Sequence, residues 1–278
     1  MIAKGDALLA RLKAEGANSP ADVFLTVDAG RLHRAQLAGA FQPIKSALLQ
    51  QSIPAHLRSD KDEWFGLSTR VRVIVYAKDR VDADQLSTYE SLSSAEWKGR
   101  ICVRSSGNIY NQSLVASMLA TRGLSLTEKW LNGFTKNFAR QPSGGDRDQI
   151  KAVAAGQCDI AVVNSYYLAG MLTSSDDSER DAADKVALHW PNQNDRGSHI
   201  NISGAGVTRS SKNSELATRL LEFLCATDSQ QWYAQINNEY PVLAKAEIHE
   251  VLRKWGEFKA DQLNVTELGV YNSDAILA

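Results

Sequence analysis

The chain reads as an α/β protein of two core-bearing lobes, and three features of its 278 residues lead there. The length exceeds the usual single-domain size, so two cores are the natural division. Short apolar strands alternate with helices of ten or so residues, the pattern of α/β folds with largely parallel sheets. No repeat and no low-complexity linker separates the halves, so the chain is expected to cross twice between lobes. Arg70–Lys78 and Ile202–Arg209 are the candidate crossings. On this reading residues 1–72 and 205–255 form the first lobe, and 73–204 and 256–278 form the second.

The elements follow in order. Asp6–Glu15 predicts a helix with Leu8, Leu9 and Leu12 on one face, stopped at Gly16. Ala21–Val27 predicts a strand and Ala29–Ala38 a helix ended by Gly39. Val71–Tyr76 (VRVIVY) is the nearly continuous apolar run of a strand buried on both faces. Tyr89–Gly99 connects it to a strand at Arg100–Val103. Helices are expected at Tyr110–Thr121, closed by Gly123, and at Thr127–Phe138, where Trp130, Leu131, Phe134 and Phe138 keep helical spacing. Asp146–Ala155 is a helix with Gly156 in the C-terminal cap position. Asp159–Val163 is a buried strand with a helix opening near Ser165. Ser174–Lys185 (SSDDSERDAADK) is polar and acidic and reads as an exposed loop. His199–Ser203 and Gly206–Thr208 bracket one more strand, and amphipathic helices at Asn213–Ala226 and Ser229–Ile236 follow it.

Composition narrows the function. Apolar residues make up 44% of the chain, enough for real cores, and Lys plus Arg number 31 against 32 acidic residues. That balance leaves no basic footprint, so nucleic acid is not an expected partner. No apolar run approaches the roughly 18 residues of a membrane-spanning helix. The opening MIAKGDALLARLKAEG lacks the apolar segment and cleavage site of an export signal. Cys102, Cys158 and Cys225 are odd in number and far apart, with no CxxC to suggest a thiolate zinc site. Cys102 and Cys158 lie in apolar, strand-like runs and read as small core residues.

Catalysis is not indicated. GxSxG, GxxxxGK[ST] and HExxH are all absent. Gly204-Ala205-Gly206 follows a strand, but Arg209 stands where a dinucleotide fingerprint needs its third glycine, so a turn between strand and helix is the simpler reading. His33, His56, His189, His199 and His249 show no ligand spacing.

The tyrosines are more informative. An exposed Tyr-Tyr pair is by composition more often a packing or interface feature. Yet Tyr166 and Tyr167 come just after a strand, behind Asn164 and Ser165, which are good helix N-cap residues. Neighbouring side chains in a first helical turn diverge by only about 100°, so two phenols can converge there. Tyr110 repeats the arrangement behind the loop Ser105–Asn108. Both positions lie at carboxyl ends of strands, where open α/β sheets bind ligands, and at helix N-termini, which favour an anionic phenolate. A phenol of pKa near 10 binds as phenolate only when a strongly polarising cation displaces its proton. Oxygen donors of this kind match hard ferric iron, whereas calcium or magnesium would want carboxylates and carbonyls.

The runs SPADVFLTVDAGRLHRAQLAGAFQPI (19–44), WFGLSTRVRVIVYAKDRV (64–81), SSGNIYNQSLVA (105–116), GDRDQIKAVAAGQCDIAVVNSYYLA (145–169), HINISGAGVTRSSKN (199–213) and NNEYPVL (237–243) resemble the ferric-iron-binding proteins of periplasmic ABC transporters. The likeness is greatest to the cyanobacterial Fut-type branch and covers essentially the whole chain. It implies a class II periplasmic-binding fold: two α/β lobes, a hinge of two strands, and the ion in the cleft. By resemblance, Fe(III) is the ligand and an ABC transporter permease the partner. Its tyrosine ligands fall on Tyr110, Tyr166 and Tyr167 of the second lobe. Arg70 matches an arginine that lines the cleft near the metal, and Arg104 is a further cleft charge. Family members normally begin with a strand leading to a His-Tyr pair, in a motif like YSSRHY, and none precedes Gly5. This implies a first lobe without its first strand, weaker iron retention, and strand exchange with another copy of the chain. The alternative on the same fold is a binder of another metal or of an oxyanion held by Arg70, Arg104 and helix N-termini.

Overall fold

The computed structural model describes Ile2 and residues 5–278; Met1, Ala3 and Lys4, part of the opening stretch read for an export signal, lie outside the described residues. The chain begins with α1 (Gly5–Glu15), β1 (Val23–Val27), α2 (Ala29–Leu37), α3 (Ala47–Ser52) and the long β2 (Phe65–Ala77). Next come β3 (Ile101–Cys102), α4 (Ile109–Lys136), α5 (Asp146–Ala154), β4 (Ile160–Asn164), α6 (Ser165–Leu172), α7 (Asp177–Asp184) and β5 (Val186–His189). The remainder is β6 (Ile200–Val207), α8 (Ser214–Leu224), α9 (Thr227–Asn237), β7 (Tyr240–Pro241), α10 (Glu250–Lys254), α11 (Thr266–Val270) and α12 (Asn272–Leu277).

These elements fall into two units. The first is Met1–Thr69, Asn201–Ile248 and Leu263–Ser273; the second is Arg70–Ile200, His249–Gln262 and Asp274–Ala278. The chain changes unit within β2, after Thr69, and within β6, after Ile200. The tail departs from the expected boundaries: residues 249–255 join the second unit and 263–273 return to the first. The return has a local cause. Val265 donates its N–H to the His56 carbonyl at 2.9 Å, and α11 packs on α2 so closely that a Cβ on Gly269 would meet the His33 ring.

In the first unit β1 runs antiparallel to β6, with Val23 opposite Val207 and Val27 opposite Ser203. The opening of β2 pairs antiparallel with β7. In the second unit the rest of β2 runs antiparallel to β4 and β5, and β3 runs parallel to β4. The expectation of largely parallel sheets is therefore corrected. Of these ladders only β3–β4 is parallel, because the strands that flank the long β2 return against it.

Side chains explain why these elements settle where they do. β2 is buried along its length save for Tyr76, as its continuous apolar run requires. In the second unit Ile74, Trp97, Met118, Trp130 and Ile160 form one core, each large side chain contributing about 1.5–3 kcal/mol by burial. Trp130 stacks on Phe134 with centroids 4.8 Å apart, and Phe138 meets Phe134 edge-on at 5.0 Å. The two helices expected on either side of Gly123 form one run broken there, where Gly123 takes φ 75°.

Three further readings are corrected. Gly204-Ala205-Gly206 is no turn but lies inside β6. A Cβ on Gly204 would come 2.7 Å from the Phe65 carbonyl oxygen, and one on Gly206 would come 2.4 Å from that of Glu63. Glycine is needed there for close approach of backbones. The acidic stretch 174–185 is no loop throughout, because α7 occupies Asp177–Asp184. Asp176 Oδ1 caps α7 by accepting from Ser178 N at 2.9 Å, and Ala183 and Glu179 are buried. Its polarity hid an amphipathic face whose carboxylate Glu179 pairs with Arg147 at 3.0 Å. Cys102 and Cys158 are not separate core thiols but a disulfide. The parallel pairing of β3 with β4 brings their Cα atoms to 5.9 Å, within bonding range.

Candidate metal centre

β2, β3 and β4 deliver the polar side chains of the second unit. Arg70 and Arg72 are two apart on β2 and so project from the same face. Both are buried, at 5% and 1% exposure, which is rare for arginine unless it is partnered. From β3 the chain passes through Arg104 and the loop to Asn108. The Asn108 Oδ1 accepts from Tyr110 N at 2.9 Å and starts α4. From β4 it passes directly into α6, which opens on Ser165, Tyr166 and Tyr167. Asn164 precedes α6 but its side chain does not cap the helix. Its Oδ1 accepts instead from Arg72 Nη1 at 3.2 Å.

The two helix starts bring the phenols together. Tyr166 donates its hydroxyl toward Tyr110 Oη at 3.5 Å, too long for a strong O–H···O bond. The spacing suits a shared ion, because two oxygen donors at about 2 Å from one hard cation lie no more than about 4 Å apart. The Tyr166 and Tyr167 rings lie 4.3 Å apart between centroids. All three tyrosines are half-buried. Arg70 Nη1 donates to Tyr110 Oη at 3.2 Å, and the Arg70 guanidinium lies 5.8 Å from the Tyr110 ring and 5.3 Å from that of Tyr166. The Arg104 guanidinium lies 5.4 Å from the Tyr110 ring. The five residues singled out by sequence are thus gathered in one place.

Burial pushes the Tyr166 phenol well above the ordinary tyrosine range, with the Arg70 charge opposing it. Burial also raises Tyr167, against the hydrogen-bonding contact with Tyr166. Without a cation these phenols stay protonated at neutral pH. Among the described residues no group of three or more His, Cys, Asp or Glu side chains is placed to hold a metal. The oxygen donors on offer here are phenols.

Sequence reasoning missed Asp146 and Arg72. The Asp146 side chain is fully buried and accepts from Arg72 Nη1 at 2.8 Å and from Arg104 Nη1 at 3.2 Å. One signal for Arg72 was available: a cation inside the apolar strand VRVIVY must find a buried partner.

Two α/β units joined through β2 and β6, with a polar cluster at strand ends, are an architecture shared with the solute-binding proteins, which are non-enzymatic components of transport. The chain belongs to the family of bacterial extracellular solute-binding proteins, whose model matches residues 18–260. Iron uptake protein A1 of Synechocystis sp. is 47% identical over 266 residues, 96% of this chain and 74% of that protein. The Trichodesmium protein IdiA (FutA), solved in complex with iron and citrate ligands, superposes with a TM-score of 0.97 at 54% identity, over 99% of this chain and 87% of its own. The ferric binding protein of Campylobacter jejuni gives a TM-score of 0.94 at 37% identity, over 99% and 87% of the two chains. The fold is that of the two-lobe periplasmic binding proteins.

Proposed function

We propose that this chain is the substrate-binding component of a ferric-iron uptake system, holding Fe(III) through the phenolates of Tyr110, Tyr166 and Tyr167. The observation that carries the reading is the convergence of the three phenols beside Arg70, with the Tyr110 and Tyr166 oxygens 3.5 Å apart. A ferric ion entering this cluster displaces the phenol protons that burial retains, so binding releases protons and weakens on acidification. Three phenolates offset the ionic charge of +3. A further anion then needs a cation nearby, and Arg70 and Arg104 supply it. The citrate in the Trichodesmium complex is an anion of suitable kind.

The reading extends to place and partners. The relative from Serratia marcescens is an Fe(3+)-binding periplasmic protein, and the Cys102–Cys158 disulfide suits an oxidising compartment, so this chain works in the periplasm. There it hands its ion to an ABC transporter permease. A second copy of the chain is a further partner, through strand exchange at the edge strand β1.

The test is the visible spectrum of the purified protein after addition of ferric citrate, read before and after desalting. A phenolate-to-iron charge-transfer band should appear. Tyr110→Phe and Tyr166→Phe should each remove most of it and weaken retention by more than the roughly 10–100-fold typical of outer-shell changes. A band that survives both substitutions would exclude the tyrosine cluster as the iron site.

A further inference from the structure

One buried carboxylate ties together the segments that carry the tyrosines. Asp146 opens α5, and its Oδ2 accepts from Arg72 Nη1 at 2.8 Å and from the Asn164 backbone N–H at 3.0 Å. Its Oδ1 accepts from Arg104 Nη1 at 3.2 Å. Arg72 then uses Nη2 to reach Asn111 Oδ1, the residue after Tyr110, at 2.6 Å. Asn111 Nδ2 in turn donates to the Arg104 carbonyl at 2.8 Å. The ends of β3 and β4 and the first turn of α4 therefore hang on one ion pair.

Such a pair is not explained by stability. Taking both charges out of water costs about what their attraction returns, and well-packed apolar residues often serve as well. What the pair supplies is geometry: the planar guanidinium of Arg72 fixes two asparagines that flank the tyrosine positions, one on each helix start. Without it, the starts of α4 and α6 could shift independently.

We propose that Asp146, locked by Arg72, is the positioning residue of the centre. It sets the distance between Tyr110 and the Tyr166–Tyr167 pair and holds Arg104 over the Tyr110 ring. The inference rests on the tyrosines being the iron site. Asp146 acts through Asn164, Arg72 and Arg104 rather than on the metal itself.

Two variants of the full chain test it. Asp146→Asn keeps the shape but removes the charge that holds both guanidinium groups. Asn111→Ala cuts α4 from Arg72 and leaves the ion pair intact. Each is loaded with ferric citrate and desalted, the charge-transfer band is recorded, and the iron is titrated out with a competing chelator. Both variants should shift the band from its wild-type wavelength and weaken retention roughly 10–100-fold, with unchanged far-ultraviolet circular dichroism. A purely structural role would lower the folded fraction without moving the band. If Asp146→Asn does not fold, Asn111→Ala decides alone. A wild-type band that stays in place in the folded variants, with affinity within about twofold, overturns this inference alone. Absence of any band in the unmutated chain overturns the tyrosine assignment and this inference with it.

Discussion

His199 is buried with the charges of Arg196 and Arg72 facing it, and its imidazole is pushed down to about 3, by burial first and by those two cations next. An imidazole in the unfolded chain titrates near 6.5. The native state therefore binds fewer protons than the unfolded state in the window between these values. The stability that the neutral His199 contributes is fully present above about pH 6.5 and is lost as pH falls toward 3. The backbone around the ring is held tightly: His199 donates its N–H to Tyr89 Oη at 3.0 Å, and Tyr89 donates to the Arg72 carbonyl at 2.6 Å. In His199→Asn, urea midpoints measured from pH 7 down to pH 4 should fall less steeply than in the wild type. Parallel slopes for the two proteins would show that another group carries the acid sensitivity.

The β3–β4 pair is the frame on which both helix starts are mounted, and the disulfide clamps it. Cys102 ends β3 and Cys158 precedes β4, 56 residues apart in sequence. The closed loop contains α4 and α5, so the cross-link removes much freedom from the unfolded chain, worth about 2–4 kcal/mol. Cys102→Ala with Cys158→Ala should lower the unfolding free energy of the second unit by roughly that amount, read from denaturant curves followed by Trp fluorescence. An unchanged midpoint in the double variant, or in wild type treated with a reductant, would show that the bond adds no stability. Elsewhere the link from sequence to helix is weaker. The eight residues of α7 could be told from a loop only through the buried Ala183 and Glu179.

Among the described residues, β1 is the edge strand of the first unit. β1 ends the strand order, bonded on one side to β6. Beside it lies a cavity of about 710 Å³, lined by Leu8 and Leu12 of α1 and by Val23, Phe24, Leu25 and Val27 of β1. Leu25 is 43% exposed there. An edge strand with no second partner among the described residues, flanked by apolar side chains, is a template for another strand, and a second copy of the chain can supply one. Sedimentation velocity should then detect a dimer that grows with concentration. Leu25→Lys, which places a charge on the edge, should abolish it. A wild-type chain that stays monomeric up to high micromolar concentration would rule the exchange out.

Much of this protein is decided by local rules that can be read residue by residue. The period of apolar side chains places the strand at VRVIVY and the paired helices around Gly123, because burial of a face is a local demand on spacing. The strand-to-helix passages after Arg100–Val103 and Asp159–Val163 place Tyr110, Tyr166 and Tyr167 at strand ends, although the Asn164 side chain read as a cap turns instead to Arg72. The direction of the strands, the Cys102–Cys158 bond and the Asp146–Arg72 pair are different in kind. Each joins residues 56 or more positions apart, and no spacing rule along the chain says which distant partner a cysteine or a buried charge will meet. Only the packed fold, by bringing β3 against β4 and α5 beneath them both, makes one carboxylate answer two arginines.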